Sequence, residues 1–142
     1  MYLSKTAQKT EEIAKKLAKH IEDTNVIYLY GDLGSGKTTF TKAFVEALGI
    51  DKFHVKSPTY TYIREYKLKD RNIYHIDLYR IAELDELLFQ EIEELTENPN
   101  NILIIEWADK LQTKLNAKSL DVYFKYVDEN QREIKFNPKM QF

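Results

Sequence analysis

The sequence predicts an α/β protein in which helices cover a mixed central sheet. The apolar run at residues 26–30 is typical of a strand buried on both faces. Amphipathic helical patterns stand on both sides of that run in the chain. Two pairs of strand-like segments with short polar connections indicate hairpins, which a wholly parallel sheet would not contain. With 142 residues, of which 43% are hydrophobic, the chain is expected to form one domain over residues 1–142.

The first helix is expected at about residues 5–21. Ile13, Leu17 and Ile21 recur at a spacing of four on one face, and lysines cover the other face. The strand at Val26–Tyr30 follows this helix and leads directly into a glycine-rich loop.

A second helix is predicted to begin at Lys37. Phe40 and Phe44 are spaced for one helical face, and Gly49 is well placed for the left-handed residue that ends a helix. Strand, glycine-rich loop and helix therefore occur in the order that a phosphate-binding loop requires.

The second half of the chain is expected to add a hairpin, helical structure, a buried strand and a closing hairpin. Tyr, Thr and Ile enrich the strand-like segments, and polar residues separate the paired ones. The expected segments are residues 59–68 and 72–79 with a turn at 69–71, one or two short helices at 83–97, a strand at 102–105, and strands at 120–127 and 132–136 with a turn at 128–130.

Composition excludes several classes of function. Cysteine is absent, which removes disulfides and cysteine-ligated metals. The net charge of -2 argues against tight direct binding of nucleic acid. The N-terminus lacks the apolar core of a signal peptide, and no apolar run approaches the ~20 residues that cross a bilayer, so a soluble, cytoplasmic protein with no membrane partner is expected.

Charge is nevertheless uneven along the chain. Residues 83–97 carry seven acidic side chains and no Lys or Arg. Two interpretations remain open for this stretch, namely a solvated helix face and a docking surface for a basic partner.

The glycine-rich loop matches the phosphate-binding pattern G-x-x-x-x-G-K-[ST] at every fixed position. Its glycines let successive backbone N–H groups point at phosphates, and the following helix adds its positive end. The lysine is a point charge for the β- and γ-phosphates, and the hydroxyl after it is the usual Mg²⁺ ligand. The loop reads Gly31, Asp32, Leu33, Gly34, Ser35, Gly36, Lys37 and Thr38, and Thr39 follows it.

An NTPase also needs a carboxylate at the end of a buried strand to hold Mg²⁺. Glu106 directly follows the apolar run at 102–105, and Asp77 ends a less apolar strand. An ionised carboxylate after a buried strand is costly without a nearby cation or donor, which favours a functional role for both.

Three further features leave alternatives open. Ser57, Pro58 and Thr59 stand where such proteins place a segment that senses the γ-phosphate, although a simple turn fits equally well. His75 alternates with Asp77 on one strand face, so the two side chains form either a hydrogen-bonded pair or separate structural contacts. Trp107, the single tryptophan, is interpreted as a packing residue.

Taken together, four motifs resemble the TsaE (YjeE) family, the bacterial ATPases of tRNA threonylcarbamoyladenosine biosynthesis. The blocks occur in the order found in that family and cover the chain to Trp107, although Ser35 stands where the family usually has Ala. The blocks are YGDLGSGKTTF at 30–40, VKSPTY at 55–60, YHIDLYR at 74–80 and IEWA at 105–108.

The resemblance implies a three-layer sandwich of the P-loop NTPase type and specific roles for the matching residues. Thr38 and Glu106 would ligate Mg²⁺, and Asp77 would act on the γ-phosphate side, with Lys37, Asp77 and Glu106 forming the catalytic set. ATP would bind at Asp32, Leu33, Gly34, Ser35, Gly36, Lys37, Thr38, Thr39 and Asp77, and Ser57, Pro58 and Thr59 would be the switch.

The resemblance also implies partners, namely the TsaB and TsaD proteins, with tRNA reached only through that assembly. Three other functions compete with this ATPase. A small-molecule kinase would share the phosphate loop, but no arginine-rich lid is visible. A GTPase would need a guanine signature that is absent, and a non-enzymatic module gated by nucleotide remains open.

Overall fold

The computed structural model describes residues 1–21, 24–32, 35–50, 63–111 and 113–140. Within these residues the backbone forms strands, α-helices and one short 3-10 helix. In chain order the elements are β1 (Tyr2–Ser4), α1 (Ala7–Ala18), β2 (Val26–Tyr30), α2 (Lys37–Ala47), β3 (Ile63–Lys67), β4 (Asn72–Asp77), α3 (Glu86–Leu95), β5 (Asn101–Glu106), the 3-10 helix (Ala108–Lys110), β6 (Ser119–Tyr126) and β7 (Arg132–Asn137).

The seven strands form one mixed sheet in the order β1-β7-β6-β2-β5-β4-β3. The four central strands, β6, β2, β5 and β4, pair in parallel. Antiparallel strands complete both edges, with β3 against β4 at one side and β7 and β1 at the other. The predicted mixed sheet is therefore confirmed, with the most apolar strands at its parallel centre, where both faces are covered.

Alternating side chains of β2 reach two different hydrophobic cores. Ile27 and Leu29 pack with residues of α1 and α2 on one face of the sheet. Val26 and Tyr28 pack on the opposite face, where Ile92 of α3 is completely buried. This period of two confirms the expected sandwich, in which helices cover both faces of the sheet.

Helix α1 is shorter than the periodicity predicts, spanning Ala7–Ala18 rather than residues 5–21. It begins after Thr6, whose hydroxyl oxygen accepts a 3.0 Å hydrogen bond from the Lys9 N–H. It ends at Lys19, which keeps a right-handed backbone as the C-terminal cap. Local capping therefore sets both ends, although the apolar pattern continues beyond them.

The remaining elements follow the predicted order with adjusted bounds. The acidic stretch contains a single helix, α3. This helix begins after Asp85, whose carboxylate caps it by accepting a 2.7 Å hydrogen bond from the Leu88 N–H. Strand β4 ends at Asp77, before the predicted end at residue 79. Strand β1 and the 3-10 helix were not predicted, since three residues are too few to show a period.

No helix within the described residues is both long enough and apolar enough to cross a membrane.

Candidate functional site

The carboxyl ends of three parallel strands bring the predicted functional residues together. Glu106 ends β5 and lies in register with Leu29 of β2 on one side and with Asp77 of β4 on the other. The glycine-rich loop leaves β2 two residues after Leu29. In open α/β sheets, ligands bind in the crevice at this edge.

Glycine is required at two positions of the loop. Gly31 has a φ of 148°, and a Cβ there would lie 2.8 Å from the carbonyl oxygen of Phe124 in the neighbouring strand β6. Gly36 has a φ of 102° and precedes α2 without any side-chain cap. The first backbone N–H groups of α2 consequently have no intrahelical acceptor and are available to an anion.

The other loop residues have different environments. Asp32 is exposed, and its carbonyl oxygen accepts a hydrogen bond of 3.2 Å from the Ser35 N–H. Ser35 is buried, and its hydroxyl has no hydrogen-bond partner among the described residues. The predictions on Leu33 and Gly34 lie outside the described residues, as do those on the switch residues Ser57, Pro58 and Thr59.

Lys37 is the most unusual side chain at this edge of the sheet. It is only 5% exposed, and its ammonium has no hydrogen-bond partner among the described residues. Burial lowers the pKa of Lys37, while Glu106 and Asp77 act in the opposite direction by favouring the charged form. The nitrogen lies 4.1 Å from the ring centroid of Trp107.

Lys37 opens onto a cleft of about 270 Å³. Helix α2 forms one wall, with Thr38 exposed at its start, and the ends of β4 and β5 form the facing wall. The lining residues are Gly36, Lys37, Thr38, Thr39, Asp77, Tyr79, Glu106, Trp107 and Arg132.

Glu106 is held in place by His75. The His75 Nε2–H donates a 2.5 Å hydrogen bond to Glu106 Oε2, and the two side chains are 2% and 6% exposed. The suggested pairing of His75 with Asp77 is therefore wrong. In the parallel register of β4 and β5, His75 lies opposite Ile104, and its imidazole reaches diagonally to Glu106, two residues further along β5 on the same face.

Asp77 makes a different contact. Its carboxylate accepts a 3.0 Å hydrogen bond from the backbone N–H of Tyr79. Burial raises the pKa of Asp77, the Tyr79 hydrogen bond counters that effect, and the nearby Glu106 adds to it. Asp77 and Glu106 thus differ in their partners, although they lie opposite each other in adjacent strands.

A second, larger cavity of about 500 Å³ meets the cleft at the start of α2. Gly36, Thr39 and Arg132 line both spaces. The larger cavity is further lined by Lys5, Thr6, Ala7 and Thr10 near the start of α1, and by Glu129 and Asn130 in the β6–β7 turn. The two spaces together form one bipartite site.

No cluster of three or more His, Asp or Glu side chains suited to a metal occurs within the described ranges. The cleft is lined instead by three hydroxyl side chains, Thr38, Thr39 and Tyr79, and by two carboxylates, Asp77 and Glu106. Mg²⁺ commonly takes one or two protein oxygens and fills its octahedron with phosphate oxygens and water. The donor set therefore fits Mg²⁺ bound together with a phosphorylated ligand.

Three residues that line the cleft were given no site role from sequence, namely Tyr79, Trp107 and Arg132. Trp107 was interpreted as packing, but its ring lies over the Lys37 ammonium. Arg132 is distant in sequence from the loop and lines both spaces. For Trp107 the position directly after Glu106 was an available signal, whereas nothing local in the sequence distinguishes Arg132.

Comparison with known proteins gives consistent matches over nearly the whole chain. The family model for "Threonylcarbamoyl adenosine biosynthesis protein TsaE" matches residues 4–134. The tRNA threonylcarbamoyladenosine biosynthesis protein TsaE of Haemophilus influenzae is 42% identical over 122 residues, which cover 86% of this chain and 75% of that protein.

A second relative and a solved structure agree with these matches. The protein of the same name from Bacillus subtilis is 38% identical over 129 residues, covering 91% of this chain and 79% of its own length. The crystal structure of Bacillus subtilis YdiB superposes with a TM-score of 0.68 and 32% identity, covering 94% of this chain and 80% of that one.

Proposed function

Since the chain belongs to the TsaE family and its role lies in tRNA threonylcarbamoyladenosine biosynthesis, we propose that it is a P-loop ATPase that supports turnover of that pathway together with the TsaB and TsaD proteins. One observation carries the proposal. The Lys37 ammonium is buried without a hydrogen-bond acceptor among the described residues, beside the uncapped start of α2. A buried cation next to a helix N-terminus favours the binding of an anion, and a nucleotide phosphate is such an anion.

The bipartite site suggests how ATP would lie. The phosphates would occupy the cleft, in contact with the N–H groups at Gly36–Thr39 and with Lys37. The nucleoside would extend into the larger cavity between the start of α1 and the β6–β7 turn. Gly36, Thr39 and Arg132 line both spaces and would lie beside the junction between sugar and phosphates.

Thr38 and Glu106 would hold Mg²⁺ against the phosphates. When bound, the ion would neutralise phosphate charge and stabilise the charge that develops during transfer. The hydrogen bond from His75 directs Glu106 Oε2 and leaves Glu106 Oε1 for the ion. That division of the two carboxylate oxygens is typical of a carboxylate oriented by a second residue.

The proposed reaction is hydrolysis at the γ-phosphorus. A water oxygen forms a bond to that phosphorus and the bond to the β–γ bridging oxygen breaks. One water proton stays on the released phosphate and the other passes to solvent as ADP leaves. Lys37 would stabilise charge on the transferring group. Asp77, whose pKa is raised by burial, would hold the attacking water at the open side of the cleft.

The test is to measure ATP binding and ATP hydrolysis by the purified chain, alone and with the TsaB and TsaD proteins. Lys37→Met should abolish ATP binding or weaken it severely, because it removes the cation but keeps the apolar stem. Lys42→Met is the matched control, since Lys42 is exposed on the same helix. Unchanged ATP affinity in Lys37→Met would overturn the assignment of the loop.

Measurements of ATP hydrolysis distinguish an ATPase from a nucleotide-gated module and from a kinase. We expect slow turnover by the chain alone and acceleration by the partners, since missing transition-state charge costs about 10³–10⁵ in rate where a partner supplies an arginine. ATP binding without hydrolysis under either condition would favour a nucleotide-gated module. Rapid phosphate transfer to a small acceptor, with no effect of partners, would favour a kinase.

A further inference from the structure

Trp107 has a backbone conformation that bulky residues rarely adopt. Its φ of 58° and ψ of 43° lie in the left-handed region, and it is the one non-glycine residue with positive φ in the described part of the chain. Such a conformation persists only where surrounding contacts favour it, and it is found most often at functional sites.

The left-handed residue directly follows the end of β5 and allows the indole to line the cleft next to Glu106. In an extended strand Trp107 would point away from Glu106, because consecutive side chains alternate between faces. Glu106 faces α2, yet both side chains line the cleft beside that helix. The indole therefore lines the cleft and also packs at the edge of the core that contains Ile92.

In the cleft the indole contacts the Lys37 ammonium, which has no hydrogen-bond partner among the described residues. The Lys37 nitrogen lies 4.1 Å from the ring centroid, well inside the range of a cation–π interaction. Tyr79 packs against the indole at 5.0 Å between centroids, which supports its orientation. Glu106, the residue before Trp107, forms its hydrogen bond with His75 and none with the Lys37 ammonium.

We propose that Trp107 is a positioning residue that holds the Lys37 ammonium in the cleft before a nucleotide arrives. An aromatic face stabilises the charge without consuming its N–H donors, so all three remain free for phosphate oxygens. A carboxylate partner would occupy those donors and would have to be displaced. The proposal rests on the proposed function, in which Lys37 binds the nucleotide phosphates.

The direct test is the NMR signal of the Lys37 ε-methylene protons. Over an indole face these protons shift upfield, and the shift should disappear in Trp107→Leu, persist in reduced form in Trp107→Phe, and change when MgATP is added. The Lys42 signal in the same spectra is the control, since that side chain is exposed. An unshifted Lys37 signal in the unsubstituted protein would overturn the contact.

Measurements of ATP affinity then test whether the contact between Trp107 and Lys37 supports nucleotide binding. Trp107→Leu should weaken ATP binding about tenfold, whereas Trp107→Phe should weaken it about threefold or less, because a phenyl ring retains a smaller aromatic face. Equal affinities in the two variants would make Trp107 a packing residue only. If the unsubstituted protein itself fails to bind ATP, the proposed function fails, while the NMR experiment still decides the contact.

A reciprocal experiment covers the case in which Trp107→Leu does not fold. Trp107 is the single tryptophan, so its fluorescence reports this site alone. Lys37→Met should alter the emission in the absence of nucleotide, and Lys42→Met should not. Identical emission in the unsubstituted protein and in Lys37→Met would contradict the proposal.

Discussion

The hydrogen bond between His75 and Glu106 should contribute strongly to the free energy of unfolding. This contribution should be lost when residue 75 can no longer donate an N–H to the Glu106 carboxylate. Two replacements of His75 distinguish the effect of its N–H donor from the effect of its side-chain volume. His75→Leu removes the donor and keeps an apolar side chain of moderate size, whereas His75→Gln keeps an N–H that can reach the same oxygen. The two partners are 2% and 6% exposed, and their bond is 2.5 Å long.

The magnitude follows from the burial of both partners. Loss of one partner leaves a buried carboxylate uncompensated, which typically costs about 3–5 kcal/mol. Glu106 borders the cleft, where water can partly solvate it, so about 3 kcal/mol is expected for His75→Leu. His75→Gln should cost about 1 kcal/mol, since a hydrogen bond remains in altered geometry.

Urea denaturation measures these differences as shifts in midpoint at constant slope. The double variant His75→Leu with Glu106→Gln should be more stable than the sum of the two single effects indicates, because it removes the charge along with its donor. Additive effects would refute the coupling. So would a loss below about 1 kcal/mol in His75→Leu, since a solvated carboxylate would then need no partner.

Three further predictions concern the metal, the loop and the acidic helix. Glu106→Gln should weaken Mg²⁺-dependent ATP binding measured by calorimetry while sparing binding without metal, and Glu94→Gln should change neither. Gly31→Ala should lower the free energy of unfolding by more than Gly49→Ala, because both have positive φ but only a Cβ at Gly31 would lie 2.8 Å from a backbone oxygen. Charge reversal at Glu91 and Glu94, both exposed on α3, should slow association with the TsaB and TsaD proteins more than it speeds dissociation, as surface-plasmon rates would show. Unaltered association rates would leave α3 a solvated face.

The parts of the fold that were predicted correctly depend on short-range patterns. The apolar run at Val26–Tyr30 gives the central strand with the bounds expected, because a strand buried on both faces leaves a continuous signal. Helix α2 begins at Lys37 as predicted, since the loop motif and the helical period meet there. The bounds of α1 differed because its two caps, Thr6 and Lys19, lie inside the predicted range and end the helix although the apolar period continues.

The parts that were missed depend on contacts between distant segments. The His75–Glu106 bond results from the parallel register of β4 and β5, which no pattern within β4 reveals. Similarly, the left-handed backbone of Trp107 cannot be read from composition, because an aromatic residue after a strand is ordinarily a packing residue. The assignments of Leu33, Gly34 and the switch at 57–59 stay predictions.

The strand order brings Arg132 to the candidate site from a distant part of the sequence. Strand β7 begins at Arg132 and lies next to β6, which in turn pairs with β2, so the arginine lies beside a loop about a hundred residues earlier in the chain. Its guanidinium donates hydrogen bonds to the carbonyl oxygens of Asp128 and Gln131 and lies 4.6 Å from the ring centroid of Tyr126. These contacts hold its charge where the two spaces meet.

No other arginine lines the cleft within the described ranges. In this arrangement Lys37 is the cation closest to the proposed position of the γ-phosphate, whereas Arg132 would lie nearer the sugar and α-phosphate. An ATPase that lacks an arginine at the transferring group is slow unless another chain provides one. Because Arg132 is the one arginine that lines the cleft in the described part of the chain and its guanidinium is bonded to the β6–β7 turn, we predict that faster turnover needs a further positive charge from the partners.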